Sequence, residues 1–269
     1  MNLLEKQMTG LLKSCHEKYG AVSVKAEFEA EGTRMDELLR LIEIARKADL
    51  EVTVKIGGCE AVRDLLEAKQ IGVQYIVAPM VETAYAASKF TAAKNSVFNE
   101  VESSEMEFLI NLETATAFEN RLQIIEEISG DKGLDGVVFG RVDYVGSKRF
   151  ERSEVDSKNV RDDVINVAAA VKKANMKLVV GGGVSSNSIG FLREVEKTHL
   201  SRFETRKVVF RGDAINETDI ESGLLQAVHF ELLWLLNKRE YYGKIVAEDN
   251  TRIEMLEKRW KVLESQSKK

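Results

Sequence analysis

The chain has 269 residues, 44% of them hydrophobic and 31% charged, which is ample material for a packed core and excludes a disordered or collagen-like polymer. Lys and Arg number 39 against 44 Asp and Glu, and the net charge of −5 points away from nucleic-acid and membrane-surface partners and towards small-molecule work. Two cysteines, Cys15 and Cys59, without CxxC spacing exclude a disulfide scaffold or structural zinc site, and the charged N-terminus lacks an export signal, so a cytoplasmic protein is expected.

Pro79 is the only proline, so no Pro-rich linker divides the chain and a single domain over residues 1–269 is expected. Along the chain, short β-branched runs alternate with helical patterns. The predicted strands cover residues 21–28, 51–56, 74–78, 107–112, 136–139, 177–180 and 206–210. After the first, Thr33 with Asp36 reads as a capping box, followed by the apolar face Met35, Leu38, Ile42 and Ala45. Nearly continuous apolar strands separated by helices imply parallel pairing, and seven such units favour a TIM (β/α)8-type barrel over an open sheet. The eighth strand is expected either in residues 96–101 or in the first segment. Residues 218–269, opened by Thr218 with Glu221, read as two helices; their Leu232, Leu233, Trp234, Leu235 and Leu236 suit an oligomer contact.

In such a barrel the chemistry belongs at the C-terminal strand ends. One strand runs into Glu113 and Thr114, the next into Gly140, Arg141, Val142 and Asp143. Glu113 and Asp143 lie one β/α unit apart, and two hard carboxylate ligands at one mouth suit Mg²⁺ or Mn²⁺. The alternative is structural: Glu113 capping the next helix and Asp143 sitting in a turn.

The string Leu109-Ile110-Asn111-Leu112-Glu113-Thr114-Ala115, followed by Gly133-Leu134-Asp135-Gly136-Val137-Val138-Phe139-Gly140-Arg141-Val142-Asp143, resembles the HpcH/HpaI aldolase and citrate lyase family. Val54-Lys55-Ile56 and Tyr75-Ile76-Val77-Ala78-Pro79-Met80-Val81-Glu82 resemble further stretches of it, the likeness running from about Val22 to Asp213. The resemblance implies a TIM barrel whose final helices are exchanged between subunits, with Glu113 and Asp143 as divalent-metal ligands. The implied activity is aldol cleavage or condensation through a pyruvate-type enolate. Two departures stand out. Lys55 occupies the position of a family Arg, keeping the charge but losing the planar fork. Where the pyruvate aldolases carry a His as acid/base, this chain reads Glu27-Phe28-Glu29-Ala30-Glu31-Gly32, and His16, His199 and His229 lie elsewhere. Proton transfer then falls to Glu29 or to a water on the metal, unless Glu27, Glu29 and Glu31 form only a solvated acidic loop.

Val179-Val180-Gly181-Gly182-Gly183-Val184-Ser185-Ser186 also resembles the phosphate-binding strand end of other TIM barrels, with Gly182, Gly183 and Ser185 approaching the anion. Arg211, at the end of the last predicted strand, pairs with an anionic substrate in either scheme. Met8, Met35, Met80 and Met176 read as core filler, and Cys59 as no catalytic thiol.

The combined expectation is a cytoplasmic, homo-oligomeric carbon-carbon lyase acting on a small 2-oxo acid or related carboxylate, without nucleic-acid or membrane partners. Glu113 and Asp143 hold Mg²⁺ or Mn²⁺, Lys55 and Glu29 are catalytic, and Lys55, Arg211, Gly182, Gly183 and Ser185 bind substrate. The rivals are a phosphosugar enzyme using the 181–186 loop and a catalytically inactive barrel scaffold.

Overall fold

Eight strands close into a barrel in chain order: β1 Ala21–Glu27, β2 Glu51–Lys55, β3 Tyr75–Ala78, β4 Glu107–Leu112, β5 Gly136–Gly140, β6 Lys177–Gly181, β7 Arg202–Glu204 and β8 Val208–Arg211. The computed structural model describes residues 1–130 and 133–267. Helices α1 Leu3–Tyr19, α2 Met35–Arg46, α3 Val62–Ile71, α4 Ala84–Val97, α5 Glu100–Ser104, α6 Ala115–Glu119, α7 Arg121–Ile128, α8 Arg141–Ser147, α9 Lys158–Lys173 and α10 Ile189–Glu196 surround the strands, and α11 Ile220–Ser267 ends the chain.

The seven strands expected from periodicity are present to within two residues at each end. The eighth lies in neither expected place: residues 96–101 close α4 and open α5, and the first segment is the helix α1. The missing strand is β7, only three residues long and framed by Arg202 and Glu204, too short and too charged for a periodicity signal.

β1 to β7 run parallel, whereas β8 is antiparallel to both β7 and β1. A tight turn at residues 205–207 replaces a helical crossover. Thr205 fixes it, its N–H donating to Val208 O at 2.9 Å and its Oγ1 accepting from Val208 N–H at 3.1 Å. The reversal inverts the expectation for Arg211. Arg206 and Lys207 now enter at the mouth, and β8 ends at the floor, where Arg211 pairs with Arg202 of β7 in the register.

Inside the barrel the side chains stack in levels. The floor carries Tyr75, Glu107, Lys177 and Arg202; Glu107 is ion-paired to both Lys177 and Arg202, whose guanidinium lies over the Tyr75 ring. Above it Val77, Leu109, Val138 and Val179 form a small apolar layer, separate from the larger core between strands and helices. Ser23 and Thr53 share a 2.8 Å hydrogen bond on the β1–β2 side. Higher still stand Lys25, Lys55, Asn111 and Glu204, all buried.

Helix α1 begins with a capping box in which Asn2 and Glu5 exchange side-chain to backbone bonds, and its buried stripe Met8, Leu12, Cys15 and Tyr19 meets α11. At Gly223 of α11 an added Cβ would stand 2.7 Å from the Tyr19 side chain, so only glycine permits this crossing. In α2 the boundary residue is Arg34, whose N–H donates to Glu37, one residue later than the expected Thr33–Asp36 pair.

The two expected C-terminal helices are one helix of 48 residues. Thr218 sits in the turn before it, and the last two residues of the expected stretch lie outside the described residues. Continuity is possible because the only breaker after Gly223 is Gly243, which costs about 1 kcal/mol in a helix interior and does not stop it. Leu224, Ala227, Phe230, Leu233 and Trp234 are buried against the body. Lys238 and the Tyr242 hydroxyl reach Glu37 of α2 at 3.0 and 2.6 Å, and beyond Tyr242 the helix is exposed on every side. No helix of the described residues is long and apolar enough to cross a membrane.

Candidate active site at the barrel mouth

A cavity of about 490 Å³ opens at the C-terminal ends of the parallel strands. Its wall includes Glu27, Glu29, Glu113, Asp143, Glu204 and Glu231 against Lys25, Lys55, Arg152 and Arg206. Six carboxylates facing four cationic side chains leave an excess of two negative charges.

Glu113 sits at the centre, only 2% exposed. Its Oε1 accepts from the Met80 N–H at 3.1 Å and its Oε2 from Asn111 Nδ2 at 2.5 Å, and Lys55 Nζ stands 3.6 Å away. The carboxylate lies across Gly140, where an added Cβ would come within 2.5 Å of Oε2. Burial pushes the Glu113 carboxyl above the usual range; Lys55 and the hydrogen bonds oppose that, and the nearby Asp143 charge adds to it. Thr114, not Glu113, caps α6, its Oγ1 accepting from the Ala117 N–H at 3.1 Å. The helix-cap alternative for Glu113 therefore does not hold. Asp143 stands exposed in the first turn of α8, on the cavity wall.

Lys55, at the end of β2, is held between Glu113 and Glu29, whose Oε2 is 3.4 Å from the amine. Glu27 and Glu29 both face the cavity, while Glu31 is ion-paired to Arg206 and Lys207. The acidic loop is thus tied into the mouth instead of being solvated. Burial pushes the Glu27 carboxyl up, but Lys25, Lys55, Arg206 and Lys207 outweigh it and hold the group below the usual range.

Several participants escaped the sequence reading. Lys25, inside β1, contacts Glu204 at 2.5 Å and Glu27 at 3.4 Å; burial disfavours its charge, yet the two carboxylates hold its pKa above the ordinary value. A lysine in the middle of a β-branched strand was the available signal. Glu204 belongs to the undetected β7, and Arg206 came to the mouth only through the reversed β8. Met80 is not core filler: it is half exposed at the cavity, and its φ of 52° turns its N–H onto Glu113.

Gly182 and Gly183 reach the cavity with φ of 81° and 71°. An added Cβ at Gly182 would lie 2.6 Å from the Arg141 and Val142 nitrogens, so the loop is glycine-rich to let α8 approach. Ser185 is not on the cavity wall; it opens a short 3₁₀ turn, its N–H donating to Ser188 Oγ at 3.3 Å. Arg211 is absent from the mouth, and its guanidinium pairs with Asp213 at 3.0 Å at the other end of the barrel. His16 and His199 are engaged with the Ala21 and Met176 carbonyls, and no histidine lines the cavity.

For a divalent cation the mouth offers Glu113 and Asp143, the charge excess, and the Asn111 Oδ1, which is buried without a hydrogen-bond partner. Among the described residues no cluster of three or more His, Cys, Asp or Glu is arranged as a complete cage. Two carboxylates with remaining positions left to water and substrate suit Mg²⁺ or Mn²⁺, so the residues fit such an ion.

The sequence profile of the HpcH/HpaI aldolase/citrate lyase family matches residues 20–209. A search of curated protein sequences gave no significant match. Among solved structures, an HpcH/HpaI aldolase/citrate lyase family protein from Burkholderia cenocepacia J2315 aligns with a TM-score of 0.61 at 13% identity, covering 89% of this chain and 90% of that one. The citrate synthase SbnG aligns with 0.57 at 13% identity over 74% and 81%. An HpcH/HpaI aldolase from Desulfitobacterium hafniense DCB-2 aligns with 0.54 at 15% identity over 67% and 76%. With the profile spanning more than half the chain over a closed eight-stranded barrel, the chain belongs to the HpcH/HpaI aldolase/citrate lyase family.

Proposed function

We propose that the protein is a divalent-metal-dependent carbon-carbon lyase acting on a small 2-oxo acid or related carboxylate, with its chemistry at the barrel mouth. The carrying observation is that Glu113 and Asp143 share the wall of a cavity whose carboxylates outnumber its cationic side chains by two, a surplus that a divalent cation would balance. Mg²⁺ or Mn²⁺ held by Glu113 and Asp143 would supply Lewis-acid polarisation of the substrate carbonyl. Lys55 adds its ammonium to the oxygen on which charge develops. Glu29, within 3.4 Å of Lys55, is placed to take or return the proton at the carbon beside the carbonyl. Gly182 and Gly183 present backbone to the substrate.

The test needs no knowledge of the acceptor. Pyruvate in deuterated water is followed by proton NMR with and without Mn²⁺ or Mg²⁺. Metal-dependent loss of the methyl signal is expected, together with a metal-induced rise in melting temperature that Glu113→Gln and Asp143→Asn abolish. A wild-type melting temperature indifferent to both ions, with no exchange on pyruvate or other 2-oxo acids, would leave the inactive-scaffold reading in possession.

A further inference from the structure

The second half of α11 projects from the barrel with a pattern that its own fold does not use. Taking every third and then every fourth residue from Leu225 gives Leu225, Val228, Leu232, Leu235, Arg239, Tyr242, Val246, Asp249, Ile253, Leu256, Trp260 and Leu263. Ten of these twelve are apolar, and all the aliphatic ones and Trp260 are at least half exposed. A seam repeating every 3.5 residues over more than five heptads is the signature of a helix that winds around another helix. The body-facing residues Leu224, Ala227, Phe230 and Trp234 lie on a different stripe, so the seam is open except at Tyr242, whose hydroxyl donates to Glu37 and whose ring lies beneath Arg34.

We propose that α11 pairs with α11 of a second copy of this chain as an antiparallel coiled coil over residues 225–263, so that the partner's last turns stand at this subunit's active-site mouth. Orientation and register follow from the two polar positions. In a parallel, in-register pair Arg239 would face Arg239 and Asp249 would face Asp249, two like-charge layers inside an apolar seam. Reversing one helix about Lys244 instead sets Arg239 against the partner's Asp249 and Asp249 against the partner's Arg239. The same reversal keeps every remaining layer apolar: Tyr242 meets the partner's Val246, Leu235 the partner's Ile253, and Leu232 the partner's Leu256. The flanks agree in part, since Glu231 then faces the partner's Arg259. Lys238 would oppose the partner's Arg252, but Lys238 is already neutralised by Glu37 at 3.0 Å.

The consequence for the site comes from Val228 and Glu231, which are both on α11 and on the wall of the mouth cavity. Antiparallel pairing lays the partner's Trp260 over Val228 and the partner's Arg259 beside Glu231, giving the mouth a wall that one chain cannot build. This pairing is independent of the reaction proposed for the site.

The experiment uses the full chain at micromolar concentration. Light scattering is expected to give a dimer or a multiple of one. Arg239→Glu alone and Asp249→Arg alone should each weaken association by about tenfold, and the double variant should recover it. In a parallel pair the double variant would restore nothing. In a Cys59→Ser background, an equimolar mixture of Leu232→Cys and Leu256→Cys chains should form a mixed disulfide under mild oxidation, and neither alone should cross-link. The substituted positions on α11 are exposed, Cys59 is partly buried, and unchanged melting of every variant, Cys59→Ser included, verifies folding. A wild-type monomer, cross-linking of Leu256→Cys alone, or failure of the charge swap to restore association would overturn the proposal.

Discussion

Both ends of the barrel bury charged side chains, but they bury them differently. At the floor Glu107 is paired with Arg202 and Lys177 at contact distance, and Arg202 is stacked on Tyr75. At the mouth Lys55 is shared between Glu29 and Glu113 at 3.4 and 3.6 Å, Asn111 Oδ1 lacks a partner, and acids outnumber bases around open space. A saturated network is a plug, because leaving the buried Arg202 or the largely buried Glu107 unpaired costs the desolvation of its charge. An unsaturated one keeps its charges ready for something brought from outside. The contrast separates residues that hold the barrel from residues that work in it, and substitutions at the two ends should therefore fail in different assays.

The largest effect is expected at Glu113. Glu113→Gln should lower metal-dependent exchange on a 2-oxo acid by about a thousandfold or more, because one charged ligand is lost where charge develops. Since burial disfavours the ionised carboxyl, thermal melting of this variant without metal should be no lower than that of the wild type. A large loss of stability would place Glu113 with the plug. Next comes Lys55: Lys55→Met should lose about a hundredfold in turnover, while Lys55→Arg keeps much of it. Borohydride with pyruvate should leave no adduct on Lys55. A reduced pyruvyl adduct found there by mass spectrometry would move the protein into Schiff-base chemistry and defeat the proposed role. At the floor, Glu107→Ala should cost about 3 kcal/mol of stability, read by urea unfolding, with little change in activity per folded molecule.

The same contrast explains what could be read in the sequence. Strands such as β4 and β5, with apolar runs Phe108-Leu109-Ile110 and Val137-Val138-Phe139, declared themselves, and with them the mouth positions of Glu113 and Asp143. What escaped depends on strand direction and on pairings far apart in the chain. Arg202–Glu204 carries no periodicity, so β7 was invisible; without it the hairpin that turns β8 over was invisible too. That single omission misplaced Arg211 and hid Glu204 and Arg206. Lys25 was hidden differently: its partners lie on β7 and at its own strand end, and only the closed barrel brings them together. The heptad seam of α11 was present throughout, but dividing the stretch into two helices broke the repeat at its middle.

The smallest expected effect is a difference in acid sensitivity between the two ends. Burial works against the Glu107 carboxylate, but the hydrogen bonds and charges of Arg202 and Lys177 outweigh it and hold its pKa below the ordinary value. In the unfolded chain the group titrates near the usual glutamate value of about 4.3. The stabilisation from Glu107 is therefore fully present above that pH and is lost as pH falls through the lower folded-state value, where the native floor must take up a proton. Glu107→Gln removes this proton uptake. Its deficit relative to the wild type, measured by urea unfolding at stepwise lower pH, should be constant from neutrality down to about pH 5 and should shrink below it. A deficit that stayed constant to the foot of the acid transition would mean that Glu107 holds the floor by shape and hydrogen bonding alone, without contribution from its charge.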